Sequence, residues 1–210
     1  MKREIISLDH YPTESASGWE DVFKSLKQRG LKSTNLVIAD GLAGLENVVG
    51  KEFPKAKFQK CIVHLKRNIL NKVAPRHKNE VSDDLNEVFK VGSANYNKEE
   101  ALERMNLFII KWGNIYKRIN NLRNSNNLIY YFTYLDYDYR VQNMLYTTNW
   151  VENLNKQYRR VLKIRNSMPK EESILLLLGK VAMDSNIKYL KYGVHNFKFD
   201  KDLLTNNFEK

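Results

Sequence analysis

Asp40 follows the apolar run Leu36-Val37-Ile38-Ala39 and precedes Gly41. A short run of this kind suits a buried parallel strand, and ligands of open α/β sheets gather at the carboxyl ends of strands. A carboxylate at such an end can face solvent and a metal from a rigid base. The competing reading is a turn aspartate, because Asp-Gly is a common turn pair. Glu152 is the second carboxylate of interest. On a helix it shares one side with Asn149, Asn155, Lys156, Arg159 and Lys163, while Val151, Leu154, Tyr158 and Val161 form the opposite, apolar stripe. From Asn153 to Lys170 there is no acidic residue, yet Lys156, Arg159, Arg160, Lys163, Arg165 and Lys170 are present. Cations without compensating acids suit contact with phosphates. The alternative is a solvated face carrying an ion pair between Glu152 and Lys156, one turn apart.

Cys61 and His64 have the spacing of half a zinc site. No second cysteine exists, and the other histidines are His10, His77 and His195. Four soft ligands cannot be assembled from that set, so zinc is disfavoured. The preferred place for His64 is the edge of a carboxylate site, the alternative being a packed histidine beside a buried cysteine. Carboxylates among basic residues are what two-metal phosphodiester chemistry needs. Hard divalent ions take oxygen ligands, activate a water or 3′-hydroxyl and stabilise the leaving oxygen. Neither a phosphate-cradling glycine loop nor a nucleophilic serine motif is present, which argues against ATP use and serine chemistry. Trp112 reads as a core aromatic and Asp9 as a structural acid.

The elements that must position these residues follow from periodicity. The segment Glu4 to Leu8 reads as a short strand. Trp19, Val22, Phe23 and Leu26 recur at helical spacing, with Gly30 as the stop. Leu36 to Ala39 reads as a strand, followed by a helix to about Lys51, and Phe58 to Val63 as a further strand. Helices are expected at Leu65 to Val73, Val81 to Lys90 and Lys98 to Tyr116. The aromatic stretch from Tyr130 to Tyr139 is ambiguous. Two final helices run from about Asn149 to Ile164 and from Glu171 to Tyr192, across Pro169. An α/β unit is thus interrupted by a mostly helical block.

Bulk properties agree with one globular domain carrying an insertion. The chain has 210 residues, of which 42% are hydrophobic, enough for a sizeable core. Its net charge is +11 and its isoelectric point about 9.5, which favours a polyanionic partner. A single cysteine permits no intramolecular disulfide and fits a reducing compartment. The best apolar run, Ile174 to Leu178, is too short to span a bilayer, and no apolar signal region follows Met1-Lys2-Arg3-Glu4. The expectation is a cytoplasmic protein with a nucleic-acid partner and no membrane.

Three segments, in order, resemble the mutator-type transposases of bacterial insertion sequences, which are of the DDE class. They are Asp40-Gly41-Leu42-Ala43-Gly44-Leu45, Cys61-Ile62-Val63-His64-Leu65-Lys66-Arg67-Asn68, and Tyr146-Thr147-Thr148-Asn149-Trp150-Val151-Glu152-Asn153-Leu154-Asn155 continuing to Arg159. The resemblance runs from about Arg3 to the region of Tyr192. It implies an RNase H-like core split by a helical insertion, with residues 1–65 as the first part of the core, 66–145 as the insertion and 146–210 as the carboxyl-terminal part. By the same resemblance Asp40 matches the second catalytic aspartate, Glu152 the catalytic glutamate, and Cys61 and His64 the Cys-x-x-His signature. Asp40 and Glu152 would ligate two Mg²⁺ ions, for which Mn²⁺ may substitute, with His64 assisting at the edge. Arg67, Asn149, Asn155, Arg159, Lys163 and Arg165 would contact DNA. The implied activity is strand cleavage and transfer at transposon ends, on double-stranded DNA, by a homo-oligomer, with no small-molecule substrate.

The departures from that pattern are specific. The family's first aspartate and first two strands have no counterpart here, so the core is expected to be amino-terminally truncated and inactive alone. A usual tryptophan near Asn127 appears as Leu128, a Tyr-Pro as Tyr137-Asp138, and a glycine-rich turn before Pro169 as Asn166-Ser167-Met168. The alternative function is a non-catalytic remnant that binds transposon ends or pairs with an intact transposase.

Overall fold

Apolar residues three and four apart build most of this protein, and the computed structural model describes residues 2–124, 127–164 and 171–194. In chain order the elements are α1 (Ala16–Gln28), β1 (Leu36–Ala39), α2 (Leu45–Glu52), β2 (Lys57–Lys60), α3 (Ile62–Leu70), α4 (Lys78–Val88), α5 (Lys98–Gly113), α6 (Lys117–Asn120), α7 (Gln142–Leu145), α8 (Asn149–Ile164) and α9 (Glu171–Lys191). Short 3₁₀ turns lie at Pro75–His77, Asn121–Asn124, Leu128–Tyr131 and Thr133–Asp136. The class is mixed α/β, mostly helical, with one two-stranded parallel sheet. No helix among the described residues is long and apolar enough to cross a membrane. The described residues divide into two compact units, one within 33–148 and the other within 2–32 and 149–194.

The first unit holds the sheet. β1 and β2 pair in parallel with Leu36 opposite Lys57 and Ala39 opposite Lys60. Parallel strands need a crossover, and α2 supplies it. Gly44 leads into α2 with φ +84°, a left-handed conformation that glycine adopts without a Cβ penalty. β2 is shorter than its apolar pattern suggests, because α3 begins at Ile62. The aromatic stretch forms 3₁₀ turns that lie against β2. The carboxamide of Gln59, fully buried, accepts from the Tyr134 amide at 2.6 Å and donates to the Tyr131 carbonyl at 3.1 Å. Thr133 Oγ1 donates to the Phe58 carbonyl at 2.7 Å. Phe132, also buried, stacks on Phe89 with ring centroids 5.2 Å apart.

The helical block packs as its periodicity predicts. Val81, Leu85 and Val88 of α4 are buried, as are Ala101, Met105, Phe108, Ile109 and Trp112 of α5. Asn97 caps α5 by accepting from the Glu100 amide at 2.9 Å. Trp112 is a core residue, its indole N–H donating to Asp84 at 2.7 Å. At the end of α5, a Cβ on Gly113 would meet Asn120 at 3.3 Å, so a larger residue there would push α6 away.

Three aspartates in this unit have pKa values below the ordinary carboxylate range. Burial opposes this for Asp84, but hydrogen bonds from Lys111 and Trp112 outweigh it. For Asp136 burial is likewise outweighed, here by Lys98 and Lys57, whose amines lie at 2.8 and 2.9 Å. The hydrogen bond from the Arg140 side chain, with a backbone one, brings Asp138 down to about 2. A carboxylate whose folded pKa is depressed stabilises the fold above its unfolded pKa, and that stability is lost as pH falls through the folded value. Thermal denaturation is therefore expected to show falling stability between about pH 4 and pH 2. Asp136→Asn should lower the melting temperature at neutral pH and flatten that acid limb. A limb of unchanged steepness in this variant would show that the two lysines do not stabilise the fold through Asp136.

The second unit contains α1, α8 and α9. Ser15 caps α1 by accepting from the Gly18 amide at 3.1 Å, and Gly30 follows its end with φ +106°. Glu4 to Leu8 is not a strand. Its β-like composition lacks a ladder partner among the described residues, and Asn186 of α9 takes that role with a side chain. The Asn186 carboxamide accepts from the Ile5 amide at 2.7 Å and donates to the Ile5 carbonyl at 3.0 Å. Among the described residues of this unit an isolated antiparallel bridge between Lys2 and Gly193 is the only β-type pairing. The Arg3 guanidinium lies over the rings of Trp150 and Tyr189, 4.8 Å from each centroid.

Candidate active site

Strand register brings the first pair of candidate residues together. Ala39 is opposite Lys60, and the ladder continues through the Cys61 amide, which donates to the Ala39 carbonyl at 2.8 Å. Asp40 and Cys61 are thus the residues that follow the two parallel strands at their carboxyl ends. α3 starts directly after Cys61, so His64 lies one turn later on the side of its N-terminal flank. His64 Nδ1 is 2.9 Å from Asp40 Oδ1 and 3.2 Å from Cys61 Sγ. Facing a carboxylate, that nitrogen carries the proton and donates it.

A third strand-end contact comes from far along the chain. The Ile62 amide donates to the Tyr146 carbonyl at 3.0 Å, which anchors the segment before α8. Thr148 Oγ1 then lies 3.1 Å from Asp40 Oδ1 and 3.4 Å from Cys61 Sγ. The hydroxyl is the donor in both contacts, its one proton shared between carboxylate and sulfur, while the Cys61 thiol points to Thr147 Oγ1 at 4.0 Å. Cys61 is the floor of the cluster at 1% exposure, while the Asp40 side chain is 52% exposed and that of His64 26%. Both contacts to Asp40 fall on Oδ1. Oδ2 accepts none among the described residues. Nearby, the Tyr131 hydroxyl would sit 3.7 Å from a Cβ on Gly41, and burial raises the pKa of that hydroxyl.

The chemistry of this donor set discriminates between cations. Mg²⁺ takes oxygen and avoids sulfur, so within this cluster it fits the Asp40 carboxylate and not the thiol or imidazole.

The other sequence candidates fall elsewhere. Glu152, Asn149, Asn155, Arg159 and Lys163 all lie on α8 in the second unit. Glu152 is half-buried there, and the two asparagines, Arg159 and Lys163 are exposed. Tyr158 is buried and Leu154 and Val161 half-buried, as the stripe requires, but Val151 is 55% exposed. Arg67 is exposed on α3. Its neighbour Lys66 instead donates to Asn86 at 2.8 Å, and burial lowers its pKa. Arg165 lies outside the described residues. Thr148, Gln59 and Tyr131 are residues that sequence reasoning missed. Thr148 stands inside a quoted motif, but only the register of β1 and β2 shows what it touches.

Comparison with known proteins agrees with this geometry. The profile described as "Transposase, Mutator family" matches residues 2–191. A transposase for insertion sequence element IS905 from Lactococcus lactis is 27% identical over 89% of this chain and 46% of its own length. The transposase for IS256 in transposon Tn4001 from Staphylococcus aureus is 30% identical over 95% of this chain and 50% of its own. That for ISRM3 from Rhizobium meliloti is 31% identical over 84% and 43%. The chain thus spans about half the length of the curated relatives it matches. With nearly every residue covered by one profile, and its three motifs standing at the strand ends and on α8, the protein belongs to the Mutator family of transposases.

Proposed function

We propose that this chain supplies two carboxylates, Asp40 and Glu152, to the metal centre of an insertion-sequence transposase that cleaves and joins DNA at transposon ends. The observation that carries the reading is the half-exposed carboxylate at the end of β1, braced on Oδ1 by His64 and Thr148. In this reading the two parallel strands belong to an RNase H-like core of the DDE class, and the helical block 66–145 is an insertion into it. Divalent Mg²⁺, or Mn²⁺ in its place, would activate the attacking oxygen and stabilise the leaving one. Thr148 and His64 hold the Asp40 carboxylate through Oδ1, which leaves Oδ2 for a cation. Glu152 presents the second acid from α8, among amides and cations suited to phosphate.

Double-stranded DNA is the partner, held by Arg67, Asn149, Asn155, Arg159, Lys163 and Arg165, and the working form is a homo-oligomer in the cytoplasm. The test is cleavage of a labelled transposon-end duplex by the chain joined to the amino-terminal half of a relative. Mg²⁺-dependent nicking that requires Asp40 and Glu152 supports the reading. Nicking indifferent to both acids would overturn it.

DNA affinity provides a separate expectation. If about four phosphates are neutralised, log K should fall against log salt with a slope near −3.6. Arg159→Ala with Lys163→Ala should flatten that slope by about 1.8, measured by fluorescence anisotropy on duplex DNA. An unchanged slope would identify α8 as a solvated face.

A further inference from the structure

Cys61, His64 and Asp40 bring one sulfur, one nitrogen and one oxygen together, with the Thr148 hydroxyl beside them. The separations are 3.2 Å for Sγ to Nδ1, 2.9 Å for Nδ1 to Oδ1, 3.1 Å for Oδ1 to Oγ1 and 3.4 Å for Oγ1 to Sγ. The thiol, imidazole and carboxylate donors all lie within 4.8 Å of one another. Zinc bonds of about 2.0–2.3 Å in a tetrahedron place ligand atoms roughly 3.3–3.8 Å apart. The four printed separations lie within about half an ångström of that range, and the three Cys, His and Asp donors are close enough to share one ion. Counting cysteines along the chain cannot reveal this set, because two of its four atoms come from residues outside Cys-x-x-His.

We infer that this cluster is a binding site for a borderline-soft divalent cation of the zinc class, separate from the Mg²⁺ requirement proposed above. Thiolate and imidazole select zinc, cobalt or cadmium and reject Mg²⁺. The buried thiol is the floor of the site, and the ion enters from the exposed Asp40 and His64 side. Ligation uses Asp40 Oδ1, the oxygen already in contact with His64 and Thr148, and leaves Oδ2 for other partners. The ion replaces the hydrogen bonds of the cluster with stronger bonds and locks the ends of β1 and β2 to α3. Binding does not depend on catalysis, so it stands or falls apart from the transposase reading.

The test is a cobalt(II) titration of the whole 210-residue chain after stripping with a chelator. The expected result is a thiolate-to-cobalt charge-transfer band with the intense visible bands of a four-coordinate ion. Zinc should displace the cobalt, and a large excess of Mg²⁺ should not. Cys61→Ser should remove the charge-transfer band. His64→Gln should weaken binding by more than the roughly 10–100-fold typical of losing an outer-shell partner. Asp40→Asn, at an exposed position, reads the same property should His64→Gln fail to fold by circular dichroism. Absence of the band at a large excess of cobalt overturns the site. So does a band whose affinity is unchanged by both His64→Gln and Asp40→Asn, since that would be a lone thiol binding by itself.

Discussion

Asp40→Asn or Glu152→Gln should each lower Mg²⁺-dependent cleavage by the reconstituted enzyme by about a thousandfold. Losing one carboxylate from a two-metal centre forfeits several kcal/mol of transition-state stabilisation. At about 1.4 kcal/mol for each factor of ten, a loss near 4 kcal/mol gives that figure. Both substitutions keep the size of the side chain and remove only the charge, so folding should be unchanged. In the proposed reading the 210-residue polypeptide supplies Asp40 and Glu152 and the relative's amino-terminal half supplies a further acid, so cleavage should require that half. The polypeptide alone should still bind duplex DNA. Single-turnover assays on labelled transposon-end duplexes measure all three quantities. Efficient cleavage by the polypeptide alone, abolished by Glu152→Gln, would refute the need for a further acid and make Asp9 the first substitute to examine.

Gln59→Leu should destabilise the fold by roughly 2–4 kcal/mol. The glutamine is fully buried, and its carboxamide serves the Tyr134 amide and the carbonyls of Tyr131 and Lys60. Leucine fills similar space but leaves these backbone groups without their partner. An unsatisfied buried donor or acceptor costs about 1–3 kcal/mol each, and small shifts recover part of it. For a domain of this size the melting temperature should drop by roughly 5–15 °C. Gln59→Glu probes the same site differently. Its carboxylate can still accept from the Tyr134 amide, but it faces two carbonyl oxygens where the glutamine donates. A loss at least as large as that of leucine is expected, relieved at low pH when the acid is protonated. An unchanged melting temperature in both variants would mean that the 3₁₀ turns are held to β2 without Gln59.

Local chemistry and long-range geometry divided this protein between them. The strand before Asp40, the helix carrying Glu152 and the paired helices α4 and α5 were legible, because their periods of two or 3.6 residues are written in neighbouring positions. Val81, Leu85 and Val88 announce a buried face wherever that helix is placed. Glu4 to Leu8 has equally clear strand chemistry, yet a strand exists only through its partner. Here the Asn186 side chain, far along the chain, satisfies Ile5 instead. The aromatic stretch after Leu128 carries no period at all, and it became ordered turns because Gln59 and Thr133 offered hydrogen bonds across the sheet face.

The same division runs through the candidate site. Residue types marked Asp40, Cys61 and His64 as chemically capable, and the three-residue spacing of Cys61 and His64 brought those two together. That Asp40 joins them depends on the register of β1 against β2. A shift of one residue would turn alternate side chains to the opposite face. Thr148 joins through the Ile62 amide and the Tyr146 carbonyl, a contact that no window of sequence contains. Periodicity is a local property of the chain and survives in any single segment. Juxtaposition requires closing loops across much of the chain, and only the packed tertiary structure repays that entropy.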